Sequence, residues 1–358
     1  MKIDNIFISN DALGFQLTKN IIKNHNYETG NLDTVRKLLK EKKIRKDRTL
    51  FISTFPGNFI KDCPCTPGYV SCGYKNINFA YNCPLNCSYC ILQEYLTYPT
   101  LTLFVNIEKL EDEIINYKKT HEYIRIGTGE LTDSLIWEKI YPFSQWFISL
   151  FQKHEDIIFE FKTKTNYIEN FPSLKSNKNI IVSFSINPPE LKHEEKYSPS
   201  PKKRMEAMRE LLNRGYAIGI HFDPIIYYDN WEEDYKKLIM QLFTYIKPSK
   251  IAWISLGSLR FTKELRWFIK ENHRNSILLE GELIEGFDKK YRYPYFLRRE
   301  LYSKVIKYLK KYGSENLPLY FCMENHDMWK EFFNIKPDTS EINKYLYTSA
   351  KIALSKTY

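Results

Sequence analysis

The chain has no run of 18 or more apolar residues, so nothing in it is long enough to cross a bilayer as a helix. Its first residues, Met1-Lys2-Ile3-Asp4-Asn5, carry an early acid and no apolar signal core. Both absences point to a cytosolic protein without a membrane partner. Low-complexity stretches and internal repeats are also missing, so the chain reads as folded throughout. Cysteine is scarce and odd in number, seven in 358 residues, and three of the seven are bunched. That is not a disulfide framework; it suits a reducing compartment in which thiolates bind metal.

Hydrophobic residues make up 43% and aromatics 16%, ample for a packed core. The length exceeds that of a usual single domain, but α/β barrels run to about 250 residues or more as one unit, so one barrel with appendages suffices. A formal net charge of +10 leaves room for a polyanionic partner. Much of the excess sits in the run Arg36–Arg48, which reads equally well as a helix with a solvated basic face. The richness in Lys, Asn and Ile also matches an AT-rich genome, so charge alone is weak ground for nucleic acid.

From about residue 75 short apolar runs alternate with longer segments of helical period, the pattern of βα units around a parallel sheet. The expected strands are Asn76–Tyr81, Tyr123–Gly127, Ile157–Lys162, Ile181–Ile186, Ala217–Asp223 and Ile251–Leu256. Helices are expected near 108–119, 134–153, 201–214, 231–246 and 262–271. This predicts an α/β fold, a partial (β/α)6 TIM-type barrel with N-terminal and C-terminal extensions. Residues 1–74 would form a leader with a small α/β unit and 75–274 the barrel. Residues 275–358, with the strand-like Pro318–Met323, would form a cap or flank.

The run Cys83-Pro-Leu-Asn-Cys87-Ser-Tyr89-Cys90 follows the first expected strand, at the C-terminal mouth where parallel α/β folds carry their sites. Three thiolates at C-x3-C-x2-C spacing can each hold one iron of a 4Fe-4S cubane and leave the fourth iron open for chemistry. A structural zinc site wants four Cys/His ligands, and the triplet has no fourth beside it, although Cys63, Cys65 and Cys72 lie a short way upstream. Bacterial ferredoxin spacing is different. The run resembles the signature of the radical S-adenosylmethionine (SAM) superfamily, in which SAM chelates the free iron and an aromatic residue precedes the third cysteine; Tyr89 fills that place.

Further constellations sit at the other strand ends. After the second strand comes Gly127-Thr128-Gly129-Glu130-Leu131-Thr132-Asp133-Ser134. Its glycines allow close backbone approach and its carboxylate can accept from an ammonium group. It resembles the radical SAM motif that binds the SAM amino group. At the third and fourth strands, Lys164 can hold a carboxylate by charge, and Ser185 and Asn187 can hydrogen-bond a carboxylate or ribose. On the fifth, His221 and Asp223 share a face, either as a substrate or proton-handling pair or as a satisfied core histidine beside a turn. The sixth ends in Gly257 and Arg260, which can meet substrate.

Together these runs resemble the spore photoproduct lyase family over roughly residues 60–335. The likeness takes in the cluster loop with Leu92-Gln93, Thr132-Asp133, Phe184-Ser185-Ile186-Asn187 and Ser198-Pro-Ser-Pro-x-x-Arg204-x-Glu-Ala. It continues through Gly215-Tyr216 and Asn230-Trp231-Glu232-Glu233. It implies a radical SAM lyase-like enzyme with a 4Fe-4S cluster on Cys83, Cys87 and Cys90, and SAM held by Tyr89, Gly127, Thr128, Gly129, Glu130, Lys164, Ser185 and Asn187. It also implies an electron donor such as flavodoxin or ferredoxin, and a 5′-deoxyadenosyl radical acting on a nucleobase or nucleic-acid substrate, as in DNA repair. Modification of a peptide or small metabolite, and nucleic-acid binding with a structural metal, remain the alternatives.

Two positions depart from the family. Aligned on Thr132-Asp133, Glu130 replaces the lyase's hydrogen-donating cysteine. Ile91 replaces the tyrosine after the third cluster cysteine. Both hydrogen-return groups are therefore missing, which predicts a paralogue with different chemistry. Four cysteines remain for catalysis, Cys63, Cys65, Cys72 and Cys322, as a substitute hydrogen donor or an auxiliary cluster; small buried cysteines are the other reading. Asp223 completes the candidate catalytic set.

Overall fold

A computed structural model describes residues 2–23, 25–66 and 68–355. Two sheets carry the molecule. The N-terminal one joins β1 (Asn5–Ile8), β2 (Glu28–Thr29), β3 (Thr49–Ser53), β6 (Ala80–Tyr81) and β7 (Leu101–Phe104) in the order β2-β1-β3-β7-β6. Helices α1 (Gln16–Ile22) and α2 (Leu32–Lys40) lie between its first strands.

The larger sheet has the order β16-β12-β11-β10-β9-β8-β5-β4. Its members are β4 (Ile60–Asp62), β5 (Lys75–Ile77), β8 (Arg125–Gly127), β9 (Ile158–Thr163), β10 (Ile180–Ser185), β11 (Ala217–Ile225), β12 (Ile251–Ser258) and β16 (Leu319–Phe321). All neighbouring pairs but β4–β5 are parallel. Strands covered on both faces read as near-continuous apolar runs, and β10 and β12 are buried along their whole length. The crossovers use α3 (Lys109–Lys118), α4 (Phe143–Phe151), α5 (Pro201–Asn213) and α6 (Trp231–Tyr245). Then follow α7 (Lys263–Asn272), a small antiparallel sheet of β13 (Arg260–Phe261), β14 (Ile284–Glu285) and β15 (Tyr291–Arg292), and α8 (Tyr295–Tyr312), α9 (His326–Phe333) and α10 (Thr339–Ser355). This is the expected partial barrel.

Four local departures have physical causes. The run 76–81 is two strands in two sheets: β5 pairs with β8 in the barrel, whereas β6 pairs antiparallel with β7. Continuous burial made it look like one. Helix 134–153 breaks into a short 3-10 turn, Ile136–Lys139, and α4, because Pro142 offers no N–H to carry a helix through. The basic run 36–48 is helical only to Lys40, and Lys42 takes φ 56°. Finally, the sheet crosses both boundaries expected at 74 and 274, since β4 and β16 belong to it, and a hydrogen bond from Val70 N to Glu324 O (2.9 Å) joins the two ends at the mouth.

Candidate active site at the barrel mouth

A cavity of about 520 Å³ opens at the C-terminal ends of the strands. All seven cysteines line it. Cys83, Cys87 and Cys90 lie on one side, on the loop after β6; Cys63, Cys65, Cys72 and Cys322 lie along the seam where the chain before β5 meets the end of β16. Burial pushes the Cys87 thiol up to about 12 and raises Cys83 and Cys90 as well. Cys63, Cys65 and Cys322 are raised by the same desolvation, so each keeps its S–H at neutral pH. Among the described residues no three His, Cys, Asp or Glu side chains converge on a single-ion position. A cubane asks for something else, three thiolates around a body with one iron each.

Alternation along the strands sets the depth of each polar group. Deepest, on β9 and β11, Glu160 accepts hydrogen bonds from His221 Nε2 (3.0 Å) and Trp253 Nε1 (3.1 Å). His221 is thus a satisfied interior histidine and does not line the cavity. Two residues higher, Lys162 and Asp223 do line it. Lys162 pairs with Glu130 (2.9 Å), and Asp223 takes a two-pronged contact from Arg260 (2.9 and 3.3 Å). Burial pulls the Lys162 ammonium down, but the Glu130 and Asp223 charges outweigh it and hold it above its ordinary value. For Asp223 the desolvation is outweighed by Arg260 and Lys162, which keep it well below the carboxylate range. Arg260 also reaches Cys322 Sγ at 3.5 Å.

Of the residues expected to meet SAM, Tyr89, Gly129, Glu130, Lys164 and Ser185 line the cavity. Gly127, Thr128 and Asn187 stand behind its wall. Gly127 is there for packing: a Cβ would collide with Tyr74 Oη and the Glu160 carbonyl. Thr128 bonds Ser134 (2.8 Å). Asp133 ties the loop to the next strand, accepting from Leu135 N, Ile136 N, Thr163 Oγ1 and Lys164 N. Ile91 lines the cavity too, as does Glu130.

The segment between β10 and α5 backs the cluster loop, a role the sequence reading did not assign. Glu194, 2% exposed, accepts from Ser88 Oγ, Ser276 Oγ (2.9 Å) and Ile277 N (2.9 Å). Glu195 accepts from Tyr89 Oη, Arg204 Nη2 and Asn187 Nδ2 (3.1 Å) and lies 3.6 Å from Lys164 Nζ. Burial acts to raise Glu195, but the Arg204 and Lys164 charges hold it well below the carboxylate range. Arg204 was visible only as part of a family-like run, and nothing in spacing or periodicity marked Glu194 or Glu195.

Comparison with known proteins agrees with this layout. A family model described as spore photoproduct lyase matches residues 2–321. The spore photoproduct lyase of Clostridium acetobutylicum is 26% identical over 251 residues, 67% of this chain and 71% of that protein. The Bacillus subtilis enzyme is 27% identical over 203 residues, 55% of this chain and 59% of its own. A solved spore photoproduct lyase mutant with bound AdoMet and dinucleoside spore photoproduct superposes with a TM-score of 0.76 at 19% identity, covering 89% of this chain and 99% of that one. At that identity the superposition speaks for the fold, and among the described residues no helix is long and apolar enough to cross a membrane. The family match over residues 2–321 carries the assignment: this chain belongs to the spore photoproduct lyase family and is a radical SAM enzyme using a 4Fe-4S cluster and S-adenosylmethionine.

Proposed function

We propose that the mouth of the barrel binds a nucleobase, in DNA, RNA or a nucleotide, and presents it for hydrogen abstraction. The carrying observation is the mixed lining of the one cavity that holds the cysteine loop: the exposed Tyr95 and the half-buried Tyr98 together with the cations Lys46 and Lys290. Aromatic faces suit stacked bases, and ammonium groups suit phosphate. A related lyase has been solved with a dinucleoside spore photoproduct, which supports the same substrate class here.

The donor set fits the cofactors. Cys83, Cys87 and Cys90 offer three thiols on one short loop facing one cavity, and they would hold the cluster. Tyr89, Glu130, Lys164 and Ser185 on the same wall would hold SAM, Glu130 toward its ammonium and Lys164 toward its carboxylate. When bound, cluster and SAM together supply reductive cleavage to a carbon radical. The chain's own part is to orient the substrate and exclude water from a mouth walled by buried side chains.

Cys63, Cys65, Cys72 and Cys322 are the reading's hydrogen donors. They stand along the cavity seam, whereas Glu130 and Ile91 offer only poor C–H bonds where the family has donor-capable groups. The ion pairs Glu130–Lys162 and Asp223–Arg260 in the wall favour a more polar target than a thymine dimer, which is the observation behind a second reading, peptide or metabolite modification.

The experiment is to supply the reconstituted enzyme with SAM, a reductant and deuterium-labelled candidates, then follow 5′-deoxyadenosine and the deuterium carried into it. Transfer from a nucleotide or oligonucleotide supports the proposal; transfer only from peptides or metabolites sinks it. A dinucleotide spore photoproduct should be repaired poorly, and a Cys→Ala scan of the four seam cysteines identifies the donor.

A further inference from the structure

Three groups of the SAM wall, and Asn187 just behind it, meet one buried carboxylate or its partner. Glu195 Oε1 accepts from Tyr89 Oη and from Asn187 Nδ2 (3.1 Å), and Lys164 Nζ lies 3.6 Å away. Glu195 Oε2 accepts from Arg204, whose Nη1 donates to the Ser185 carbonyl (2.9 Å) and whose Nε donates to the Pro199 carbonyl (3.1 Å). Glu195 and Arg204 are 4% and 1% exposed, and neither borders the cavity. Asn187 in turn accepts from Tyr235 Oη (2.8 Å), so the hub reaches the barrel helices.

We propose that Glu195, braced by Arg204, is the positioning residue that sets Tyr89, Lys164, Ser185 and Asn187 in one arrangement for SAM. This rests on the reading of that wall as the SAM site. The guanidinium spreads its donors over Nε, Nη1 and Nη2 in a fixed plane and so spans the carboxylate and two separate carbonyls, whereas an ammonium's three N–H groups all leave one nitrogen. The carboxylate then fixes a phenol from the cysteine loop, and an amide and an ammonium from just past β10 and β9. None of these contacts involves a cluster thiol, although Cys87 Sγ lies 4.0 Å from Ser198 Oγ on the same segment. Tyr89 itself stands between Cys87 and Cys90 on the cluster loop, so iron content is read beside SAM affinity to tell the two effects apart.

The test uses the full chain, reconstituted anaerobically, with SAM affinity from equilibrium dialysis, iron and sulfide content, and the electron paramagnetic resonance spectrum of the reduced cluster with and without SAM. Glu195→Gln should keep its iron, lose about tenfold or more in SAM affinity, and show a weakened SAM-induced change in the spectrum. Glu195→Asp should recover part of the loss. Arg204→Lys, which keeps the charge and removes the fork, should lose several-fold, and it carries the test if Glu195→Gln does not load iron.

SAM binding within twofold of wild type in iron-loaded Glu195→Gln or in Arg204→Lys overturns the proposal, provided that Lys164→Met weakens SAM. If Lys164→Met and Ser185→Ala both bind SAM normally, the underlying reading of the wall has failed instead.

Discussion

Replacing Asp133 tests how the second-strand loop is fastened to the site. Its Oδ1 accepts from Leu135 N (3.0 Å), Ile136 N (3.2 Å) and Thr163 Oγ1 (2.7 Å), and its Oδ2 from Lys164 N (2.6 Å). In Asp133→Ala the Thr163 hydroxyl keeps Thr165 Oγ1 at 2.9 Å, so three backbone N–H groups are orphaned. Each buried orphan costs roughly 1–3 kcal/mol. Asp133 borders the cavity, which lets water in and favours the lower end, about 3 kcal/mol in all. Asp133→Asn keeps the Oδ1 contacts but turns an N–H toward the Lys164 N–H, losing one charge-assisted bond, about 1.5–3 kcal/mol. Alanine should therefore cost at least as much as asparagine. Urea unfolding of the apo-protein, read from midpoint and slope, supplies both numbers. An alanine variant within 1 kcal/mol of wild type, or an asparagine variant worse than alanine, would show that Asp133 is not the fastening.

Three further outcomes follow. Single Cys83→Ala, Cys87→Ala and Cys90→Ala variants should each lose iron and SAM cleavage, because each removes one cluster ligand; near-normal iron and 5′-deoxyadenosine in any of them counts against the assignment. Glu130→Gln should weaken SAM by roughly tenfold to a hundredfold, a charge-assisted bond being worth about 1.5–3 kcal/mol, and unchanged dialysis affinity would move Glu130 to the substrate side. In acid, the Glu160 hub should matter. Burial raises Glu160, but the His221 hydrogen bond and charge outweigh it and bring it from 4.5 down to about 2. The folded pKa is depressed, so its contribution is full above pH 4.5 and is lost as pH falls toward about 2, at most about 3 kcal/mol. Glu160→Gln should flatten the acid limb of the stability curve, and an unchanged limb would dissociate this pair from acid stability.

The chain's local chemistry was legible without a structure. Cysteine spacing at 83, 87 and 90 is a property of one short loop, and the runs β9 to β12 announce themselves because parallel strands buried on both faces are mostly apolar, broken only by the few polar residues that point into the barrel. Such patterns also placed Lys164, Ser185 and Asp223 at strand ends, hence at the mouth. Long-range closure was not legible. The split of 76–81 between two sheets, and the entry of β16 into the barrel, depend on which edges meet, and an apolar run looks the same against either partner. His221 could be assigned to the interior only once Glu160, 61 residues away, was seen opposite it. Tyr89 and Glu195 are 106 residues apart, and a glutamate between a strand and a helix carries no periodic signal. A buried carboxylate's role is set by the donors around it, and only the tertiary structure brings Arg204, Asn187 and Lys164 to that point.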